Sequence, residues 1–548
     1  MPLTLYWYIL RDLLKLLITS TLVLVIVMSF GFAIKPISDG LLGPWQLVKV
    51  IGYTMPGMLT FAMPFAVAFS TTLVFFRLSQ DNEIIACAVG GISYRELLTP
   101  VLVLGLVLTL GLFWLSNWVV PKFWQLVARE IEQDVARLVI RQIERGETVS
   151  FGNLLLYADQ ARDDVEIEPR PADVPTPYNR LVLDGVAVAK IDRENILRAD
   201  YTAERAVVDL YHDPTQDRTY ATMLLSNVTI NDPDSGTLIT VKRQPVEPQE
   251  IESPFEQKPK FLSLPRLKKL VADPERSSSV RKSKRALIDS MAGFVILQKM
   301  NDALIDGGSM TLISPQGQRY ELSGPLGDVG SNRLRLRAVG NDKVVVRARV
   351  GDLTTQRIEA ESGTLEVVTN DLAEEPRMNL KLERVRVIDQ DLPTPSTLRQ
   401  VTLPLLRMDE PVLAPLRGMT IQQVMNRAAG YEDAPAVELY RKSMVRVIGG
   451  LMREVTSRLH ERAAMAVNCL LVALLGAVMS MLLRQQTPLA IFFWCFMPTI
   501  VAFLTISSGQ NMIGWHDTPI AIGMAMAWAG NVGLIMMIVW IYMRLCRN

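Results

Sequence analysis

Six stretches of this chain, 16–34, 50–76, 97–120, 463–483, 488–508 and 518–543, contain no Asp, Glu, Lys or Arg. A helix rises 1.5 Å per residue, so ~20 apolar residues cross the ~30 Å hydrocarbon layer of a bilayer. Within that layer an open strand or loop would leave backbone N–H and C=O groups without partners, whereas a helix satisfies its own. The pattern therefore predicts an α-helical membrane protein with six spans. Three precede and three follow one long polar block, 121–462. The first run is longer than a signal-peptide core and lacks a small-residue cleavage pattern, so it reads as a retained anchor.

An even number of spans places both termini on one side, and Lys/Arg in the short flanks select that side. One side collects Arg11, Lys15, Arg77, Arg95, Arg484, Arg544 and Arg547, the other only Lys35 and Lys49. The termini and the 77–96 loop are expected to be cytoplasmic. The long block then faces a periplasm-like space. None of the four cysteines, Cys87, Cys469, Cys495 and Cys546, falls in that block, so burial rather than a disulfide must hold it together.

Composition removes several function classes. A formal charge of +1 and 7% aromatic residues give no nucleic-acid signature. The three histidines, His212, His460 and His516, are scattered, and the chain has no paired-cysteine or HExxH metal spacing, no G-x-S-x-G elbow and no Walker loop. No catalytic residue, metal ligand or cofactor is expected, and any ATP is hydrolysed by another chain. The charge-free spans also speak against a proton- or sodium-coupled carrier, which keeps an ionisable group near mid-membrane.

From Phe151 the block turns to period two, as in 181–190, 221–230, 333–339 and 344–350. In the last of these Val346, Ala348 and Val350 alternate with Arg347 and Arg349, the pattern of a strand with one wet face. Many short strands predict a sandwich or jelly roll. A faint internal echo pairs Ala199 with Ala360 and Val228 with Val385, the gap differing by four residues, and reads as two halves of one β-roll, as two stacked modules or as ordinary strand likeness. Between the β regions, 258–286 carries ten Lys/Arg against Asp273 and Glu275; it reads as a solvated flexible linker or as a contact with anionic headgroups. An amphipathic helix is expected over 286–304 and a second helical stretch over 420–462.

The loop RLSQDNEIIACAVGGISYRE, 77–96, is the most informative short stretch. Ser79 or Asp81 can cap a helix, Glu83 suits the dipole of its first turn, and Gly90-Gly91 stops it. About ten residues of helix result, with Ile84, Ile85 and Val89 to one side. Two readings stay open, a helical turn between antiparallel spans and a helix that docks in a groove of a soluble partner.

Several motifs resemble the LptF/LptG (YjgP/YjgQ) permease family of lipopolysaccharide export. They are RLSQDNEIIACAVGGIS in the loop, the N-terminal YWYILRDLLK, NWVVPK at 117–122, RLHERAAMAVNCLLVALLGAVMS at 458–480 and AWAGNVGL at 527–534. The resemblance covers all six spans and, more weakly, the first β region. It implies an inner-membrane, multi-pass permease subunit with a periplasmic β-jelly roll, working beside a second LptF/LptG-like subunit. It also implies a cytoplasmic LptB-like ATPase dimer, an LptC/LptA-like β-jelly-roll protein in the periplasm, lipopolysaccharide as cargo and membrane lipids around it. The loop helix becomes the ATPase-coupling helix: Glu83 matches the acidic residue that pairs with the ATPase, Leu78, Ile84 and Ile85 supply apolar contact, and Asp81 and Gly90 complete the motif. Lys35 either snorkels or meets lipid phosphates, and Arg458 and Arg462 are further lipid-binding candidates.

The expected organisation is 1–120 with coupling helix 78–90, a β-jelly-roll region 121–257, a basic linker and helix 258–305, a second β-rich region 306–402, a helical connection 403–462 and spans four to six in 463–548. The block is longer than the family pattern requires, and both 259–270 and 419–430 resemble the helix start that precedes the fourth span. A membrane-anchored β-domain scaffold without transport activity is the alternative reading.

Overall fold

The computed structural model describes the chain apart from residues 1–2, 39–43, 133–139, 141, 152–153, 164–176, 178, 192–196, 214–217, 233–236, 252–257, 306–307, 315–316, 330–332, 339–341, 351–352, 369–375, 390–394, 410–411, 413, 432–433 and 548. It divides into two compact units, 1–138 with 252–274 and 449–548, and 139–251 with 275–448.

The first unit is helical. It contains α1 (Leu3–Ser38), α2 (Pro44–Gln80), the short α3 (Glu83–Val89), α4 (Tyr94–Trp114), a π-helical turn (Leu115–Val119), α5 (Val120–Glu132) and α6 (Leu264–Ala272). Among the described residues, six helices are long and apolar enough to cross a membrane, as the charge-free runs predict. The last three are α10 (Pro435–Leu482), which bridges the two units in sequence, α11 (Pro488–Gly514) and α12 (Ile520–Arg547). The apolar window of α10 is 78% buried, against 22% for α1 and for α12, so α10 is the axis on which the others pack. Its Ala466, Cys469, Ala473 and Ala477 meet Ile9 and Leu13 of α1, Val74 and Phe75 of α2 and Val101 of α4. Its Val472, Leu475 and Val478 meet Ile491 and Cys495 of α11 and Leu534 of α12. Small residues let these helices approach, because lipid tails give no hydrophobic drive for helix association and close packing must supply it.

The second unit is β-rich. Strands β1 (Val149–Phe151), β2 (Leu154–Asp163), β3 (Asn179–Ile191), β4 (Leu197–Asp213), β5 (Arg218–Asp232) and β6 (Thr237–Ile251) form one antiparallel sheet in sequential order. Alternate residues such as Leu181, Leu183, Val208, Leu210, Met223 and Leu225 are buried, so the period-two pattern marks the apolar face correctly.

A second sheet of nine strands comprises β7 (Met310–Ile313), β8 (Arg319–Ser323), β9 (Leu326–Val329), β10 (Arg333–Arg337), β11 (Val344–Val350), β12 (Leu353–Ala360), β13 (Ser362–Val368), β14 (Arg377–Asp389) and β15 (Ser396–Met408). It packs against α7 (Ser278–Ile305), whose Leu287, Met291, Ile296 and Met300 enter a core with Leu334, Val346, Leu365 and Leu382. The short helices α8 (Ala414–Arg417) and α9 (Ile421–Ala428) follow, and Leu416, Val424 and Ala428 join the same core. The expected wet face of β11 is present, with Val346 and Ala348 buried and Arg349 exposed; the side chain of Val350 lies outside the described residues.

Two segments and one internal alignment differ from those read in the sequence. The basic stretch 258–286 is not a flexible linker: it forms α6 and the start of α7, where Val280 is buried and Lys284 pairs with Glu275 at 2.9 Å. Charge density concealed the helix because the basic residues occupy its wet positions. The second β region ends at Met408 rather than 402, since Leu406 and Met408 remain in the core. The echo also has a different alignment: Ala203, not Ala199, lies 157 residues before Ala360, the separation of Val228 from Val385, and each alanine directly precedes a glutamate, Glu204 or Glu361.

Candidate functional site

At the end of the spans where α2 meets α4, the chain turns through α3. Its N-terminal boundary is set by the backbone: neither Ser79 nor Asp81 caps it, contrary to expectation. Asn82 occupies the cap position in the left-handed conformation (φ 58°) with no side-chain cap bond. Asn tolerates that conformation better than most residues, which explains the two-residue turn, Asp81-Asn82, between α2 and α3. The other end behaves as read. Gly90 N–H donates to Ala86 O at 2.9 Å, and Gly91 takes φ +80°, a region a side chain would strain.

The sequence-predicted residues separate into two groups. Leu78 and Ile84 are buried in the chain's own helical core with Val74 and Leu97, so they position α3 from below. Asp81, Ile85, Val89 and Gly90 are exposed, and Glu83 is half-buried. Asp81, Glu83, Ile85 and Val89 therefore form the accessible surface. Beside them an open cleft of about 360 Å³ is lined by Ile84, Ile85, Tyr94, Arg484, Gln486 and Leu545, between α3 and the turn from α10 to α11.

A network that sequence reading missed anchors this surface. Tyr8 Oη donates to Glu83 Oε1 at 3.3 Å, and Arg77 Nη2 donates to Tyr8 Oη at 3.4 Å and pairs with Asp12. Gln80 Nε2 donates to Arg484 O at 2.8 Å. The start of α1, the end of α2, α3 and the α10–α11 turn are thereby held as one body. Burial and the Glu83 carboxylate raise the Cys87 thiol above its ordinary range. At neutral pH Cys87 is expected to react more slowly with a maleimide than the exposed Cys546, and Glu83→Gln should speed it severalfold. Mass-spectrometric labelling rates measure both.

The basic candidates lie toward the other end of the spans. Lys35 is in the last turns of α1, and its side chain lies outside the described residues. Arg458 is partly spent within its own helix, on Glu461 at 2.8 Å. Arg462 reaches further: it donates to Lys260 O at 3.1 Å, to Leu262 O at 3.0 Å and to Asn117 Oδ1 at 3.3 Å. Asn117 is buried in the π-helical turn at the end of α4, and its Nδ2 donates back to Phe113 O at 2.8 Å. A π turn rotates one side chain out of helical phase, and here that side chain meets Arg462. Next to this clamp Trp124 packs on Phe261 with centroids 5.1 Å apart, and Lys260 Nζ lies 5.6 Å from the Phe261 ring centre. Desolvation and the neighbouring Arg458 lower the Lys260 ammonium below its usual range. Arg462 is thus engaged by its own chain, while in the same cluster Arg458 is half-buried and Lys260 is exposed.

Residues 7–311 match the family model described as lipopolysaccharide export system permease LptF/LptG. No curated protein matches the chain.

Proposed function

Because the chain belongs to the LptF/LptG family of lipopolysaccharide export permeases, we propose that it extracts lipopolysaccharide from the inner membrane and hands it to a periplasmic bridge. In this reading the work is mechanical, and ATP is hydrolysed by a separate LptB-like dimer. The observation that carries it is α3. A short exposed helix end with Ile85 and Val89 beside Asp81 and Glu83 suits insertion into a groove on a soluble partner. The Glu83–Tyr8–Arg77–Asp12 network would pass a push on α3 into α1 and α2 together. Leu78 and Ile84 serve as the base of the coupling helix and not as its docking face.

The Lys/Arg bias supports a cytoplasmic position for α3 and the termini, and a periplasmic one for the β unit. A second LptF/LptG-like subunit would complete the lipid cavity. The apolar face of the first sheet suits acyl chains, and an LptC/LptA-like roll would receive them by strand addition. Lys35 and Arg458, with Lys260, are proposed to meet lipid phosphates; Arg462 is proposed to hold the turn that presents Lys260.

Co-purification in mild detergent from native membranes tests the coupling assignment. Wild type is expected to bring down an ATPase without membrane spans, and Glu83→Arg should reduce that yield at least tenfold with the permease itself intact. Equal recovery with the charge-reversed chain would overturn the coupling role of Glu83 and favour a membrane-anchored scaffold.

A further inference from the structure

Two left-handed non-glycine residues lie within strands of the β unit, Asn227 at φ 52° and Arg384 at φ 51°, 157 residues apart. Each precedes a fully buried valine, Val228 and Val385, and each side chain donates to a glutamate at 2.6 Å, Glu204 and Glu361. Those glutamates are also 157 residues apart.

The strand pairings keep the same offset. Asp200 faces Asn231, and Arg357 faces Ile388; Arg205 faces Ser226, and Ser362 faces Glu383. Ile230 faces Ile239, and Val387 faces Ser396. The register slips between Ala221 and Met223 in one sheet and between Met378 and Leu380 in the other. Period-two patterning fixes only which face a residue occupies; it does not dictate where bulges and left-handed residues fall. Helices obey the same spacing. Ser263 and Thr420 are the N-caps of α6 and α9, and α7 starts at Ser278 as α10 starts at Pro435. Buried Val280 and Leu287 of α7 correspond to buried Val437 and Met444 of α10.

We propose that the block between the third and fourth spans contains an in-frame tandem duplication with a 157-residue offset, residues 357–444 repeating 200–287, and that the second β-sheet has become a closed module filled by α7. The family match fits this: it runs unbroken through one sheet and α7 and stops at residue 311, inside the first strand of the second sheet. The two copies differ in closure. Among the described residues of the first, β1 and β6 stand at opposite ends of an open sequence of strands. In the second, β7 pairs with both β8 and β15, so β7, β8, β11, β12, β14 and β15 form a ring. Side chains of α7 fill it, leaving its inner face occupied. The duplication stands on the pairings alone. The assignment of acyl-chain passage to the first copy rests on the permease reading above.

Excision tests the duplication. Removing 226–382 joins Leu225 to Glu383 in mid-strand and restores Glu204 opposite Arg384 in a single hybrid roll. Removing 278–434 joins Ser277 to Pro435 outside both sheets. Each 157-residue excision is expected to give a monodisperse, cooperatively melting membrane protein. Removing one residue fewer, 226–381, inverts the inward and outward faces and should aggregate. If both 157-residue excisions fail to fold, or the 156-residue excision folds equally well, the duplication is overturned.

A diazirine-bearing palmitate, photolysed with the purified full chain, tests the closure. Adducts on the 154–251 strands and none on inward residues of 310–408 are expected. Adducts at Leu382 or its inward neighbours would show that the second copy is not filled. Neither result depends on ATPase binding, so failure here is distinct from failure of the coupling assignment.

Discussion

Gly530→Leu is expected to separate α11 from α12 and to leave little folded protein in detergent. A Cβ at Gly530 would come within 2.6 Å of Ala502 Cα, and one at Gly509 within 2.6 Å of Ala527 Cα. At Gly523 the neighbour is Ile513 N at 2.8 Å. Three contacts of this kind run along one seam, and each is against backbone, which cannot rotate away as a side chain can. Overpacking against movable side chains costs ~1–3 kcal/mol; against backbone the whole helix must shift, so the loss lies at or above the top of that range. Helix pairs in lipid gain their stability from such close approach, so moving the helices apart removes the stabilising term itself. Gly533→Leu is the control, because nothing lies within 4 Å of its Cβ on the same helix. Thermal melting followed by size exclusion should show Gly533→Leu near wild type and Gly530→Leu aggregated. Equal melting of the two would mean that the seam does not hold the pair.

The membrane helices were readable because a charge-free run longer than the bilayer permits few structures. The loop helix was readable at Gly90-Gly91, where one residue type solves one backbone problem, and misread at its start, where Asn82 serves through its own φ rather than a side-chain bond. Leu78 and Ile84 look identical in sequence to an exposed docking pair. Only the packing of α3 on Val74 and Leu97 shows that they face inward. The Tyr8–Glu83 contact spans 75 residues, and no local pattern encodes it. The repeat was nearly invisible because a β-sheet conserves parity, bulges and turn geometry while side chains drift. Ala203 and Ala360, Leu225 and Leu382, and Asp232 and Asp389 are identical, but Asn227 and Arg384 differ in residue type and share a backbone conformation and a glutamate partner. With a gap allowed, Ala199 pairs with Ala360 instead, four residues from the true partner Ala203.

Arg462 separates a structural cation from a ligand-binding one, a distinction that residue type and position along a span do not make. Its guanidinium joins three segments: α10, the π turn of α4 through Asn117, and the 260–262 turn through two carbonyls. A lysine has no planar fork and cannot reproduce divergent bonds of this kind, so Arg462→Lys is expected to behave much like Arg462→Met. Hydrogen bonds from a charged donor contribute ~1.5–3 kcal/mol each, and part of that is recovered by water at an intermediate site, so a total loss on the order of 3 kcal/mol is expected. The loss should be local first. Hydrogen exchange at residues 260–262 and near Asn117 should rise at least tenfold in both variants, with the α11–α12 seam unchanged. If Arg462 instead served a lipid phosphate, Arg462→Lys would retain most lipid binding and exchange at Lys260 and Leu262 would stay at the wild-type rate. The clamp requires the opposite pattern, because the groups that Arg462 satisfies are carbonyl oxygens of its own chain, present whether or not a lipid is bound.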